Sequence, residues 1–154
     1  MAKIRFTKGE LKRQRDALKR FLRYLPTLQL KKQQLQAEIL AQSQLLEEKL
    51  HSLAPRKKSA EVWIGLLSET NISFKPWIKP INIETASKNI AGVDIPVFSK
   101  VDFPEAEYDL FITPLWVDHA VEFLRALISL KTEIEVIEKG IGILRHELRI
   151  TTQR

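Results

Sequence analysis

The sequence WVDHAVEFLRALISLKTEIEVIEKGIGILRHEL occupies residues 116–148. Its apolar side chains recur at alternating spacings of four and three residues from Trp116 to Leu148. One uninterrupted seam of this kind is typical of a coiled-coil helix. Thr113 and Pro114 precede it as the predicted N-cap and first helical residue. The first half has a wider apolar arc, which predicts packing against a second element. That arc adds Val117, Val121, Leu124 and Ile128.

A second seam lies at the N-terminal end of the chain. Thr7 and Glu10 have the spacing of a capping box, which predicts a helix start. Apolar residues then follow a heptad pattern from Leu11 to Leu53. A helix over that range is about 65–70 Å long, far longer than a compact domain of this size uses.

Two prolines fall on this N-terminal segment. Pro26 predicts a kink and not a stop, because the heptad phase continues beyond it. Pro55 and the basic run at residues 56–58 predict an interruption, with Ser59 restarting a short helix.

Between the two seams the apolar period changes to two. Ile81 and Ile83 alternate with polar residues, and so do the apolar residues from Val93 to Phe103. The turn formers at residues 88–92 lie between these runs, so the pattern predicts a β-hairpin. Pro80 and Pro96 favour edge positions, since proline cannot donate to a ladder.

The sequence therefore predicts a mainly α protein: a long antiparallel two-helix coiled-coil hairpin with a small β-hairpin-containing middle region. The predicted segments are an N-terminal coiled-coil helix at 1–53, a middle region at 54–113 and a C-terminal coiled-coil helix at 114–154. We expect the middle region to cap one end of the rod.

Composition limits the classes of function. The chain has 154 residues with 44% apolar and 29% charged residues, which indicates a globular or coiled-coil protein. It has no cysteine, which excludes disulfides and thiolate chemistry. No apolar run approaches the ~18 residues of a membrane helix, and no signal peptide is visible. We expect a cytosolic protein.

Charge is unevenly spread along the chain. Residues 1–58 carry fifteen Lys/Arg against five Asp/Glu, and residues 59–154 carry ten against fourteen. A basic half favours an acidic partner, which leaves nucleic acid, anionic lipid and an acidic protein surface open. Few aromatic residues interleave with the cations and no nucleic-acid-binding motif is present, so an acidic protein partner is favoured.

Residues for catalysis or cofactor binding are not indicated. The sequence contains neither a GxxxxGK[ST] nor a GxGxxG loop. His51, His119 and His146 lack metal-ligand spacing. Asp118 and His119 are adjacent, so on a helix they point about 100° apart and do not form a dyad. We expect no enzyme activity, no cofactor and no metal.

The three tryptophans and two of the glycines each have two possible structural roles. Trp63, Trp77 and Trp116 border the middle region, where they form a small core or, if exposed, anchor a partner. Gly140 and Gly142 lie inside the second seam, where they either admit a close neighbour or are helix-propensity defects.

Three motifs carry a resemblance to a known family. They are TKGELK at residues 7–12, KNIAGVDIP at residues 88–96 and ELRITTQR at residues 147–154. In this order and spacing the chain resembles the D subunit of the V-type and archaeal A-type ATPases, which is the central-stalk rotor subunit.

The resemblance implies a non-catalytic axle in the cavity of the A/B catalytic hexamer. ATP hydrolysis or synthesis takes place on A and B, and torque couples it to proton or sodium transport. The middle region meets the small F stalk subunit and the membrane-side socket. The complex is peripheral to the membrane on its cytoplasmic side, with no nucleic acid and no membrane insertion. Candidate hexamer contacts are Lys8, Lys12, Arg13, Arg15, Lys19, Arg20, Arg149 and Arg154. Candidate contacts with the F subunit or socket are Trp63, Trp77, Ile90 and Val93.

Members of this family continue past the matching C-terminal run, so the resemblance implies a shortened chain. If the helices turn near Asn71 and Pro114, Arg154 lies opposite about residue 31. Residues 8–30 then lack a partner helix, and we expect them to be mobile or to pair with a second copy. A first helix ending at Leu53 would instead give arms of nearly equal length. The alternatives are a coiled-coil adaptor of another ATPase or export apparatus and a basic nucleic-acid-binding helical hairpin.

Overall fold

The computed structural model describes residues 7–69, 73–107, 113–114 and 116–153. Helix α1 spans Lys8–Glu69 and the short α2 spans Lys75–Ile78. Strands β1 (Asn82–Ile90) and β2 (Val93–Asp102) form the hairpin, and α3 spans Trp116–Gln153. The predicted class is confirmed: two long helices flank a two-stranded antiparallel sheet.

Helix α1 begins as its capping signal predicts. The Glu10 N–H donates to Thr7 Oγ1 at 3.3 Å, and the Leu11 N–H donates to the Thr7 carbonyl at 3.0 Å. The helix continues through Pro26. Nearby, Thr27 Oγ1 donates to the Tyr24 carbonyl at 2.7 Å.

The interruption predicted at Pro55 is wrong, because α1 runs through it to Glu69. Proline removes the bond to the carbonyl four residues earlier, that of His51. His51 is exposed, so water can satisfy this carbonyl. Ser59 does not restart the helix; its Oγ donates to the Pro55 carbonyl at 3.0 Å.

The two long helices are antiparallel. Lys31 pairs with Glu147 near one end, and Lys49 pairs with Glu133 further along α1. Leu53 shares a buried cluster with Leu130 and Ile134, and a second cluster contains Leu35, Ile95 and Leu144. The predicted seams therefore meet, but only from about Lys31 onward.

Helix α3 spans Trp116–Gln153 and residue 115 lies outside the described residues, so the cap predicted at Thr113 and Pro114 stays a prediction. The Val117 N–H donates to the Pro114 carbonyl at 3.0 Å, which is the tight i→i+3 bond of a helix start. Val117 and Val121 are buried in the middle-region core, as the wider apolar arc predicted.

The hairpin closes with a two-residue turn at Ala91 and Gly92. Both residues have positive φ, 51° and 79°, which is the requirement of a type I′ turn. The Asn89 carboxamide supports the turn, accepting from the Gly92 N–H at 3.2 Å and donating to Asp94 Oδ1 at 2.7 Å. Ser99 is the extra residue of a bulge in β2, because Glu84 pairs with Lys100 and Thr85 with Phe98.

The hairpin lies along the rod and does not cap its end. Ile95 of β2 is buried between Leu35 of α1 and Leu144 of α3. Gly140 of α3 faces β2: a Cβ there would lie 3.7 Å from the Pro96 carbonyl oxygen and 3.9 Å from Ile95 Cβ. The middle region was expected to cap one end of the rod. Only the base of the hairpin lies at such an end, against the first turns of α3. Strand β1 is exposed along nearly its whole length.

The hairpin base packs on the first turns of α3. Phe74, Val117 and Val121 are buried there, and Trp77 and Trp116 pack against them. The predicted tryptophan core is thus confirmed for Trp77 and Trp116. The backbone of Trp63 lies in α1, and its side chain lies outside the described part of the structure.

Candidate partner-binding surfaces

The first surface is the free segment, defined as residues 8–30 of α1. The first ion pair from α1 to α3 involves Lys31, and the first buried side chain of α1 is Leu35. Before that point the seam residues are open: Leu18 is 58% exposed and Phe21 is 72% exposed. The free segment therefore presents a helix whose apolar seam is uncovered within the described chain.

Basic side chains form a stripe on this segment. At 100° per residue, Lys8, Lys12, Arg15 and Lys19 fall within an arc of about 60°. Arg13 and Arg20 lie on a second line roughly 120° away. All six candidate residues are exposed. Only Arg13 forms an ion pair among the described residues, a 3.7 Å contact with Glu10 in which the Arg13 side chain is 84% exposed.

The two C-terminal candidates differ in what can be said of them. Arg149 is exposed and lies two residues after Glu147, which pairs with Lys31. It therefore adds positive charge beside the end of the free segment. Arg154 lies outside the described residues. Clustered like charges raise the local potential and attract an acidic partner.

An apolar hollow interrupts the charged surface of the free segment. It is shallow and faces solvent, and an exposed apolar patch rimmed by charge is typical of a protein-binding surface. Phe21, Leu22, Tyr24, Leu25 and Leu28 line it.

The hairpin tip is the second surface. Ile90 and Val93, the candidate residues there, are half-buried and pack against the Leu35, Ile95 and Leu144 cluster. Lys88 Nζ lies 3.2 Å from Glu38 Oε1, which also accepts from Gln42 Nε2 at 2.9 Å. The hydrogen bond from Gln42 and the nearby Lys88 charge hold the pKa of Glu38 below its usual value, against desolvation.

The third surface is the hairpin base, where Trp77 is half-buried. Arg125 of α3 reaches this base and donates to the Trp77 and Pro104 carbonyls. The sequence analysis missed Arg125. A signal existed, because Arg125 is the only lysine or arginine in residues 116–130, a mostly apolar stretch.

Nothing in the described ranges suggests a reaction centre. Within them, no group of three His, Cys, Asp or Glu side chains is placed to hold a metal ion. An open cleft on α1 is lined by Gln44, Glu47, Glu48 and His51. None of the helices in these ranges is long and apolar enough to cross a bilayer.

An antiparallel pair of long helices with a β-hairpin packed along it defines a class of protein, the coiled-coil stalk. The particular family follows from comparison with known sequences. Residues 10–154 match the family of the ATP synthase D subunit, and the chain belongs to this family. The D subunit is a central-stalk component of the rotary ATPase.

Named relatives agree with this assignment. The chain is 43% identical to the V-type ATP synthase D subunit of Borreliella burgdorferi, over all of this chain and 76% of the relative. It is 30% identical to that of Chlamydia pneumoniae, over 98% of this chain and 73% of the relative. For Chlamydia caviae the identity is 29%, over 96% of this chain and 72% of the relative. The chain thus spans about three quarters of the length of these relatives.

Proposed function

We propose that the chain is the non-catalytic rotor shaft of a V-type ATPase, transmitting torque between the A/B catalytic hexamer and the membrane ring. In this role ATP hydrolysis or synthesis takes place on the A and B subunits, and the rotation supports proton or sodium transport. The shaft is peripheral to the membrane on its cytoplasmic side. The observation that carries the proposal is the antiparallel pair of long helices with the hairpin seated along it, in a chain of the D-subunit family.

An exposed basic stripe suits a binding site that changes at each step of rotation. The stripe is exposed, so each contact exchanges with water at little cost in free energy. Charges of this kind set association rate and orientation more than affinity. The hexamer contacts proposed are Lys8, Lys12, Arg13, Arg15, Lys19, Arg20, Arg149 and Arg154.

The proposed contacts with the small F subunit or the socket are Trp63, Trp77, Ile90 and Val93. Trp77, Ile90 and Val93 are each partly exposed. Each can therefore hold the hairpin on the rod with one part of its surface and meet a partner with another.

Reconstitution tests the proposal. The full chain is mixed with A/B hexamers from the same organism, with and without the F subunit, and co-elution and ATPase rate are followed. We expect co-elution at low salt and a changed turnover. Absence of co-elution at low salt, with F present, would contradict the proposal.

A matched pair of variants then tests the stripe. Lys12→Gln with Lys19→Gln removes two charges from the free segment, while Lys131→Gln with Lys139→Gln removes two from exposed positions on α3. Glutamine has nearly the helix propensity of lysine, so both pairs should fold. We expect the first pair to slow association several-fold and to weaken its salt dependence. Equal effects of the two pairs would remove the stripe from the proposed interface.

A further inference from the structure

One side chain of α3 holds both chain segments that flank the hairpin. Arg125 Nε donates to the Trp77 carbonyl oxygen at 3.1 Å, and Nη2 donates to the Pro104 carbonyl oxygen at 2.6 Å. Trp77 comes shortly before β1, and Pro104 is the second residue after the end of β2. The guanidinium carbon lies 5.6 Å from the centroid of the Phe103 ring.

We propose that Arg125 is a positioning residue that clamps the base of the hairpin to α3. It would thereby set the orientation in which the rod presents the hairpin to other stalk subunits. This consequence for the complex rests on the proposed function, whereas the clamp itself concerns the isolated chain.

The chemistry of this contact favours arginine over any other residue. A guanidinium carries donors in a rigid planar fork, so it can bridge two carbonyls and still face an aromatic ring. Hydrogen bonds from a charged donor are stronger than neutral ones. Among the described residues Arg125 forms no ion pair, so its charge is directed to these carbonyls and the Phe103 ring.

A second attachment lies at the other end of the hairpin. There Ile95 is buried between the two helices, and Lys88 pairs with Glu38. Along α3, Arg125 and Leu144 are about 28 Å apart at 1.5 Å per residue. A two-stranded ribbon is marginally stable alone, so it depends on its attachments for its orientation. With only the tip attached, the hairpin could pivot about it.

Hydrogen exchange on the purified full chain tests the clamp. At the base, the Ile81 N–H donates to the Asp102 carbonyl at 2.9 Å. We expect Arg125→Ala to speed exchange at this base by about tenfold, while amides beside the Ala91 and Gly92 turn keep their rates. Arg125→Lys keeps the charge but loses the fork, so its rates should be intermediate.

Lys131→Ala serves as the control, since Lys131 is an exposed α3 cation whose ion pair, with Glu135, stays within the same helix. It should leave hairpin exchange unchanged. Two results would overturn the clamp: base exchange unaffected by Arg125→Ala, or base and tip loosened equally, which is loss of general stability.

Coupling in the reconstituted complex tests the consequence. We expect Arg125→Ala to lower the number of ions transported per ATP hydrolysed while hydrolysis continues, and Arg125→Lys to restore part of the ratio. Lys131→Ala should match the unaltered chain. A normal ratio in Arg125→Ala would overturn the positioning role. If the unaltered chain itself fails to assemble, the proposed function has failed, and the exchange rates alone decide whether the clamp exists.

Discussion

Lys31 Nζ lies 2.7 Å from Glu147 Oε1, joining α1 to α3 directly after the last residue of the free segment. A second ion pair, between Lys49 and Glu133 at 2.8 Å, lies five turns further along α1. In an antiparallel helix pair, two such links specify the register between the seams. Along α1, the Lys31 pair is the first ion pair to α3 among the described residues.

Exchanging the two charges should test this register. We expect Lys31→Glu or Glu147→Lys alone to lower the free energy of unfolding by about 0.5–1 kcal/mol, because each places like charges side by side in a partly solvated site. The double exchange should recover most of the loss. Urea unfolding of the purified chain measures this, and strictly additive losses would contradict a direct pair.

The sequence predicted features that depend on neighbouring residues better than contacts between residues far apart in the chain. The helical period and the hairpin turn are local, so α3, the part of α1 up to Leu53 and a hairpin turn within residues 88–92 followed from residue spacing. The register came close: Arg154 was expected opposite residue 31, and Glu147 pairs there instead. Leu35 and Leu144 share a buried cluster with a similar offset, so the difference lies in the register of the two helices.

The sequence did not predict the contacts that orient the hairpin on the rod. Nothing in the spacing of Glu38 and Lys88, or of Arg125 and Pro104, indicates that they meet. These contacts depend on how the hairpin lies against the rod, which no local period specifies. Pro55 misled because proline weakens a helix locally, whereas α1 continues through it to Glu69.

Leucines on one seam should differ sharply in their contribution to stability. Leu35 has no exposed surface, while Leu18 is 58% exposed. We expect Leu35→Ala to lower the free energy of unfolding by about 2–5 kcal/mol, since it leaves a cavity between α1, α3 and Ile95. Leu18→Ala should cost less than about 0.5 kcal/mol in the isolated chain. Denaturant titration compares them, and similar losses would mean that the free segment packs in solution.

Acid should loosen the hairpin tip through Glu38. Its pKa is lowered in the folded chain, so the ionised form stabilises the fold above the ordinary value of 4.5. That contribution is lost as pH falls through the lowered pKa. We expect Glu38→Gln to reduce stability by about 0.5 kcal/mol at pH 7, a modest loss because the Lys88 side chain is 54% exposed. The difference between the two proteins should vanish in strong acid. A pH-independent difference in urea unfolding would count against the ion pair.

Gly140 and Gly142 of α3 either admit a close neighbour or only weaken the helix, and the structure distinguishes these two explanations. Gly142 has no atom within 4 Å of an added Cβ, so it is a propensity defect. Gly142→Ala should raise the free energy of unfolding by about 1 kcal/mol. Gly140 does face β2, but a Cβ there would make only ordinary contacts at 3.7 and 3.9 Å, so Gly140→Ala should also stabilise the chain.

Larger side chains should tell the two positions apart. At position 140, a leucine side chain would run into the Pro96 carbonyl oxygen and the Ile95 side chain. It should displace the hairpin and lower the free energy of unfolding by about 1–3 kcal/mol, as overpacking does. At exposed Gly142, leucine should be as favourable as alanine to within a few tenths of a kcal/mol. Thermal unfolding with far-UV circular dichroism measures all four variants. If Gly140→Leu were as stable as Gly142→Leu, the hairpin would not be seated on this face of α3.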